Sequence, residues 1–191
     1  MRRWIVLLFA AFLGAGLLWS QDSAPQILFI AENQVGKVWA NTSLSRQRTD
    51  EAYLPMVVAV QNMAQSPITL DRSSFSLVDL DGIVYFMPTV QQFRQYYGKS
   101  MIDERMVSFG GIPWEGWRWN RRLETTNFFP SMQARRGNTT VDKVSLRQRH
   151  AMVDLLYFER PRNLSLGRPF LLEIRPIKGW EEPIRLRIVL S

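Results

Sequence analysis

The side chains able to do chemistry are few, and their spacing is poor for it. The 191-residue chain has one histidine, His150, and no cysteine. Thiol nucleophiles, thiolate metal sites, disulfides and a lipidated cysteine are therefore excluded, as are multi-histidine metal sites. Any Ser-His-Asp arrangement would need His150 as its base. On a strand His150 shares a face with Asp154, but four strand residues span roughly 13 Å, too far for a hydrogen bond. The acidic pairs Asp79 with Asp81 and Glu181 with Glu182 bring calcium or glycosidase chemistry to mind. Neither has EF-hand spacing, and each reads as a solvated loop. There is no Gly-x-Ser-x-Gly elbow, phosphate loop or dinucleotide fingerprint. The expectation is no catalytic residue, no metal ligand, no cofactor and no enzyme.

What stands out instead is a cluster of rings and cations. Ile112-Pro113-Trp114-Glu115-Gly116-Trp117-Arg118-Trp119-Asn120-Arg121-Arg122 is followed by Phe128-Phe129-Pro130 and Arg135-Arg136. If extended, it sets Trp117 and Trp119 on one face and Arg118 and Asn120 on the other. Tryptophan and arginine are favoured at binding surfaces because they bury large area and can stack or pair with anions. Trp114, Trp117, Arg118, Trp119, Asn120, Arg121 and Arg122 form the candidate surface. The competing plain reading is a satellite core packed beneath a long loop. Of ligands, another envelope protein ranks first and a glycan stacked on Trp117 and Trp119 second. Nucleic acid is not expected of an exported chain with dispersed charge.

The N-terminus carries the address. Arg2 and Arg3 precede an unbroken apolar or small-residue stretch from Trp4 to Trp19, after which Ser20, Gln21, Asp22 and Ser23 are polar. That is the layout of a secretory signal over residues 1–20. The alternative is an uncleaved anchor through residues 4–19, because Leu18 is bulky for a cleavage site. Removing the stretch takes two arginines from a net +7 and leaves +5. The expected location is outside the cytoplasm, periplasmic or secreted, with membrane contact only if that helix is retained. Without disulfides, the exported body must be held by its own core. Sequons stand at Asn41, Asn138 and Asn163, and matter only in a host that glycosylates them.

The remainder reads as strands. After two short candidates, Ile27–Ala31 and Val35–Trp39, and a polar connection, Tyr53–Asn62 alternates Leu54, Met56, Val58 and Val60 against Tyr53, Val57 and Ala59. Both faces are apolar, as in a strand covered on two sides. Pro55 suggests an edge or a strand start. Ile68–Leu70 is short. Phe75–Asp79 and Ile83–Met87 flank Leu80-Asp81-Gly82, a hairpin marked by Asp-Gly. Val141–Leu146, Ala151–Phe158, Phe170–Arg175 and Ile184–Leu190 continue the pattern. About seven strong strands with regular turns fit an immunoglobulin-like β-sandwich, so the class is mainly β.

Val57-Val58-Ala59-Val60-Gln61-Asn62, Pro67-Ile68-Thr69-Leu70 and Phe75-Ser76-Leu77-Val78-Asp79 with Asp81-Gly82 and Tyr85 carry a resemblance. Together with the closing runs Leu155–Glu159 and Ile184–Leu190, they resemble the telokin-like, immunoglobulin-like domains of bacterial exported proteins. The likeness covers residues 53–88 and 141–191 and implies the fold, not an activity. It breaks between Met87 and Val141, where residues 89–140 form an insertion. Domain organisation is expected as residues 1–20, an N-terminal part 21–52, and the sandwich 53–191. Within the insertion, Thr89 with Gln92 fits a helix capping box, with Val90, Phe93 and Tyr97 on one face. Ser100 with Asp103 is a second start signal, with Met101, Ile102 and Met106 docking inward. Two short helices would then protect a sheet edge or end. The function expected is an exported, non-enzymatic binding module of the bacterial cell envelope; the alternative is a carbohydrate-binding module.

Overall fold

A computed structural model of the chain describes residues 27–109, 123–124, 126–129 and 140–190. The expected signal over 1–20 and the cluster Trp114 to Arg122 lie outside the described residues. Among those described, the protein is mainly β. The strands are β1 (Leu28–Glu32), β2 (Gly36–Asn41), β3 (Tyr53–Asn62), β4 (Ile68–Asp71), β5 (Phe75–Val78), β6 (Val84–Phe86), β7 (Leu123–Glu124), β8 (Lys143–Leu146), β9 (Ala151–Glu159), β10 (Pro169–Ile174) and β11 (Ile184–Val189). The helices are α1 (Ser43–Arg46), α2 (Val90–Tyr96) and α3 (Ser100–Phe109). All the strands except β7 fall on runs legible in the sequence.

One sheet has the order β1-β2-β3-β9-β7 and a second the order β11-β10-β5-β6, while β4 and β8 pair separately. The alternation of β3 decides how they pack. Leu54, Met56, Val58 and Val60 join Phe75, Leu77, Leu172, Ile174, Leu186 and Ile188 of the second sheet in one buried cluster. Val57 and Ala59 turn to the other face, where Trp39 joins them and Val107 of α3 packs on top. Each fully buried aliphatic of this kind contributes about 1.5–3 kcal/mol, which is how a chain without cysteine is held together. The strands β1 and β2 continue the sheet of β3 in register, with Trp39 opposite Ala59 and Ile30 opposite Trp39.

Pro55 lies in a central strand, not an edge. The register of β2 against β3 begins at Val57, so Pro55 is paired with Tyr157 of β9 on one side only. Its carbonyl accepts from the Ser45 hydroxyl at 2.6 Å, and the missing N–H falls where no strand needs it. At the other end of β3, Asn62 ties loops together. Its amide donates to the carbonyls of Ser66 and Leu146 at 2.8 and 3.0 Å, and its side-chain oxygen accepts from the Trp180 indole at 3.3 Å. Trp180 closes that end of the body so tightly that a Cβ on Gly36 would stand 2.2 Å from its ring.

The expected hairpin is present, and Gly82 takes the left-handed conformation at φ 79° that its turn requires. Asp79, however, is not a solvated loop residue. Its carboxylate is buried and accepts from the Asp81 and Ile83 N–H groups, both at 2.9 Å, and from the Tyr85 hydroxyl at 2.9 Å. Burial pushes its pKa up, but the bonds from Ile83, Tyr85 and Asp81 outweigh this and hold it below the ordinary value of 3.8.

Candidate binding surface and its supports

The described parts of the insertion show how the body holds it. α2 begins with the expected capping box, Thr89 accepting from the Gln92 N–H at 3.2 Å and the Gln92 side chain accepting from Thr89 N–H at 2.9 Å. Phe93 and Tyr97 then enter an aromatic cluster on the outer face of the first sheet. Phe93 lies 4.5 Å from Tyr157 and 4.8 Å from Phe129, centroid to centroid, and Tyr97 lies 5.1 Å from Tyr157.

The second start signal has a different job. Asp103 is fully buried and turned into the body, where Arg48 holds one carboxylate oxygen at 2.9–3.0 Å and the Tyr97 hydroxyl donates to the other. A short sequence motif could not reveal this, because Arg48 is fifty-five positions away. Burial raises the Asp103 pKa, and the bonds from Tyr97 and Arg48 reverse it only in part. Lys99 pairs with Glu51 beside this link, so α3 is fastened to the segment that follows β2. Met101 and Ile102 stay exposed instead of docking, since the inward side of the helix is taken by Asp103 and Val107.

The helices therefore lie over a sheet face and do not guard an edge. Edge cover comes from the return of the insertion. β7 pairs in parallel with the first residues of β9, Leu123 opposite Ala151 and Glu124 opposite Met152. Next, Asp154 accepts from the Phe128 N–H at 3.1 Å and Thr126 donates to the Val153 carbonyl at 3.2 Å. Phe128 then enters the core between the sheets, 5.8 Å from Phe75, while its neighbour Phe129 joins the outer aromatic cluster. The two consecutive rings straddle β9.

His150 is tied into the same junction. It meets Glu124 at 2.5 Å, not Asp154, whose carboxylate serves Phe128. The preceding Arg149 adopts φ 66°, unusual for a residue with a side chain, and is held there by its N–H bond to the Asn62 carbonyl at 2.6 Å. Among the described residues no group of three or more His, Asp or Glu is placed to hold a metal. A shallow groove of about 370 Å³ runs between β1 and β11, lined by Phe29, Ile30, Leu186, Arg187 and Val189. Of the sequons, Asn41 is buried and Asn163 exposed; Asn138 lies outside the described residues.

The sequence-expected surface, Trp114, Trp117, Arg118, Trp119, Asn120, Arg121 and Arg122, thus has described flanks on both sides, α3 before it and β7 after it. Sequence reading missed both fastenings.

No protein-family model matches the chain, and no curated protein matches it. A solved structure, the candidate lipoprotein YcdA of Bacillus subtilis, is similar over 84% of this chain and 38% of its own, at 12% identity and a TM-score of 0.41. Among the described residues no helix is long and apolar enough to cross a membrane.

Proposed function

We propose that the protein is an exported, non-enzymatic binding module of the bacterial cell envelope, an immunoglobulin-like β-sandwich that contacts a partner protein through its insertion. Residues 1–20 serve as the export signal in this reading. The observation that carries it is the double fastening of the insertion. α3 is fixed by the buried Asp103–Arg48 pair before residue 110, and β7 with Phe128 is fixed to β9 after residue 122. A segment rich in tryptophan and arginine whose two flanks are both fixed to the sheets pays less ordering cost on binding than a free tail would. The polar side chains weighed for catalysis have structural partners, Asp79 in its turn, Asp154 at Phe128 and His150 at Glu124.

The test is affinity capture from envelope extracts with the intact protein and with Trp117→Ala/Trp119→Ala. The reading expects a partner protein recovered by the first and lost by the second. Recovery of glycan in place of protein would favour sugar stacking on the two rings.

A further inference from the structure

The register of the strands places several chain segments at one end of the body. The β5–β6 hairpin, the β9–β10 connection, the start of β1 and the end of β11 all lie there, since Val78 pairs with Leu171, Val189 with Pro169, Tyr53 with Glu159, and Leu28 with Asn41, itself opposite Val57 in the first half of β3. Hairpin and connection are locked to each other: Asp81 accepts from Asn163 and Arg168, each at 3.1 Å, and the Tyr85 hydroxyl accepts from the Arg162 N–H at 3.2 Å. On this rigid corner three aliphatic side chains point into solvent, Leu80 at 62%, Ile83 at 46% and Leu166 at 66% exposure, with Val84 and Phe86 exposed beside them. Large aliphatics gathered on loop tips make no contribution to the core and mark a contact surface.

The chain itself says what faces them. Ile27 precedes β1 at the same end, bonded through its carbonyl to the Thr42 N–H at 2.8 Å. Eight positions upstream stands Trp19, the last residue of the apolar stretch from Trp4, and eight residues reach at most about 26–29 Å. If that stretch stays in a bilayer, this end of the body is held near the lipid. A tether of that length gives a weak surface contact a high effective concentration.

We infer that Leu80, Ile83 and Leu166 form a bilayer-contact tip, entering the interfacial region of a phospholipid membrane. The inference rests on the anchored alternative for residues 4–19. Arg160, Arg162 and Arg168 of the connection are matched by Asp79 and Asp81 of the hairpin and Glu159 at the end of β9, so these segments together carry no net charge. Apolar insertion, not attraction to anionic headgroups, sets the binding.

The absence of native cysteine makes a single label unique. Full-length protein carrying Ile83→Cys, Leu166→Cys or, at the opposite end, the exposed Ser66→Cys, each labelled with an environment-sensitive dye, is reconstituted into phosphatidylcholine vesicles. The labels at 83 and 166 are expected to shift to the blue and be quenched by lipids spin-labelled in the acyl chain, and the label at 66 is not. Equal behaviour at all three positions overturns the contact. Adding anionic lipid should change the quenching less than about twofold; quenching that appears only with anionic lipid overturns apolar insertion. Cleavage of the N-terminal stretch in cells, read from intact mass, retires the anchored reading, whereas unquenched labels in the reconstituted full chain retire the tip itself.

Discussion

Phe128, arriving from the insertion, meets Phe75 of the second sheet edge to face with ring centroids 5.8 Å apart. The insertion is thus part of the core that holds the sheets together. Replacing Phe128, which is fully buried, by alanine leaves a large void between the sheets. Denaturant unfolding should show a loss of about 3–5 kcal/mol, and a loss below about 1 kcal/mol would mean that the insertion is not integral to the fold.

Tyr157 gives the opposite sign. Its hydroxyl is buried with no hydrogen-bond partner among the described residues, and burial pushes its pKa far upward. An unsatisfied buried hydroxyl costs free energy that phenylalanine does not. Tyr157→Phe should therefore leave stability unchanged or raise it by up to about 1 kcal/mol, measured as a higher denaturation midpoint.

The Arg48–Asp103 pair should be strongly non-additive. Arg48→Met leaves a buried carboxylate, at a cost of about 3–5 kcal/mol, and Arg48→Met/Asp103→Leu should recover most of it. The pH dependence carries a sign. The folded-state pKa of Asp103 already lies above 3.8 because of burial, and losing Arg48 raises it further. The single variant should regain stability as pH falls through that raised value, where the folded protein takes up the proton. Melting curves of the three proteins between neutral and acid pH decide this.

Asp79 behaves conversely. Burial raises its pKa, but bonds from Ile83, Tyr85 and Asp81 bring it below 3.8 in the folded state. Its contribution is present above the unfolded value and is lost as pH falls through the lower folded one. Asp79→Asn should melt earlier than the native protein at neutral pH, with the gap closing in acid below the ordinary carboxylate range. A gap that stays constant with pH would show that the carboxylate charge is not what holds the turn.

What could be read in advance follows from the range of each interaction. The two-sided alternation of Tyr53–Asn62, the Asp81-Gly82 turn and the Thr89–Gln92 box are local patterns, and all three appear in the structure. The partnership of Asp103 with Arg48 and that of Asp154 with Phe128 join distant positions and leave no periodic trace. β7 escaped for another reason: two residues paired in parallel carry no alternation to detect. Pro55 fits the strand-start alternative and not the edge one, because β3 is a central strand whose pairing with β2 begins only at Val57, a limit only the register shows. For the candidate surface, composition picked out the tryptophans and arginines, whereas the fastenings that flank them came from the structure.

In the proposed function Trp117 and Trp119 carry partner binding, from an insertion whose flanks are fastened to the sheets. The most direct measurement is capture of envelope proteins by the intact protein against Trp117→Ala/Trp119→Ala, after both have been shown to unfold at the same denaturant midpoint. The account predicts a defined partner recovered with the intact protein and depleted at least about tenfold with the variant, as expected when paired aromatic hot spots are removed. Equal recovery of that partner by both proteins would contradict it.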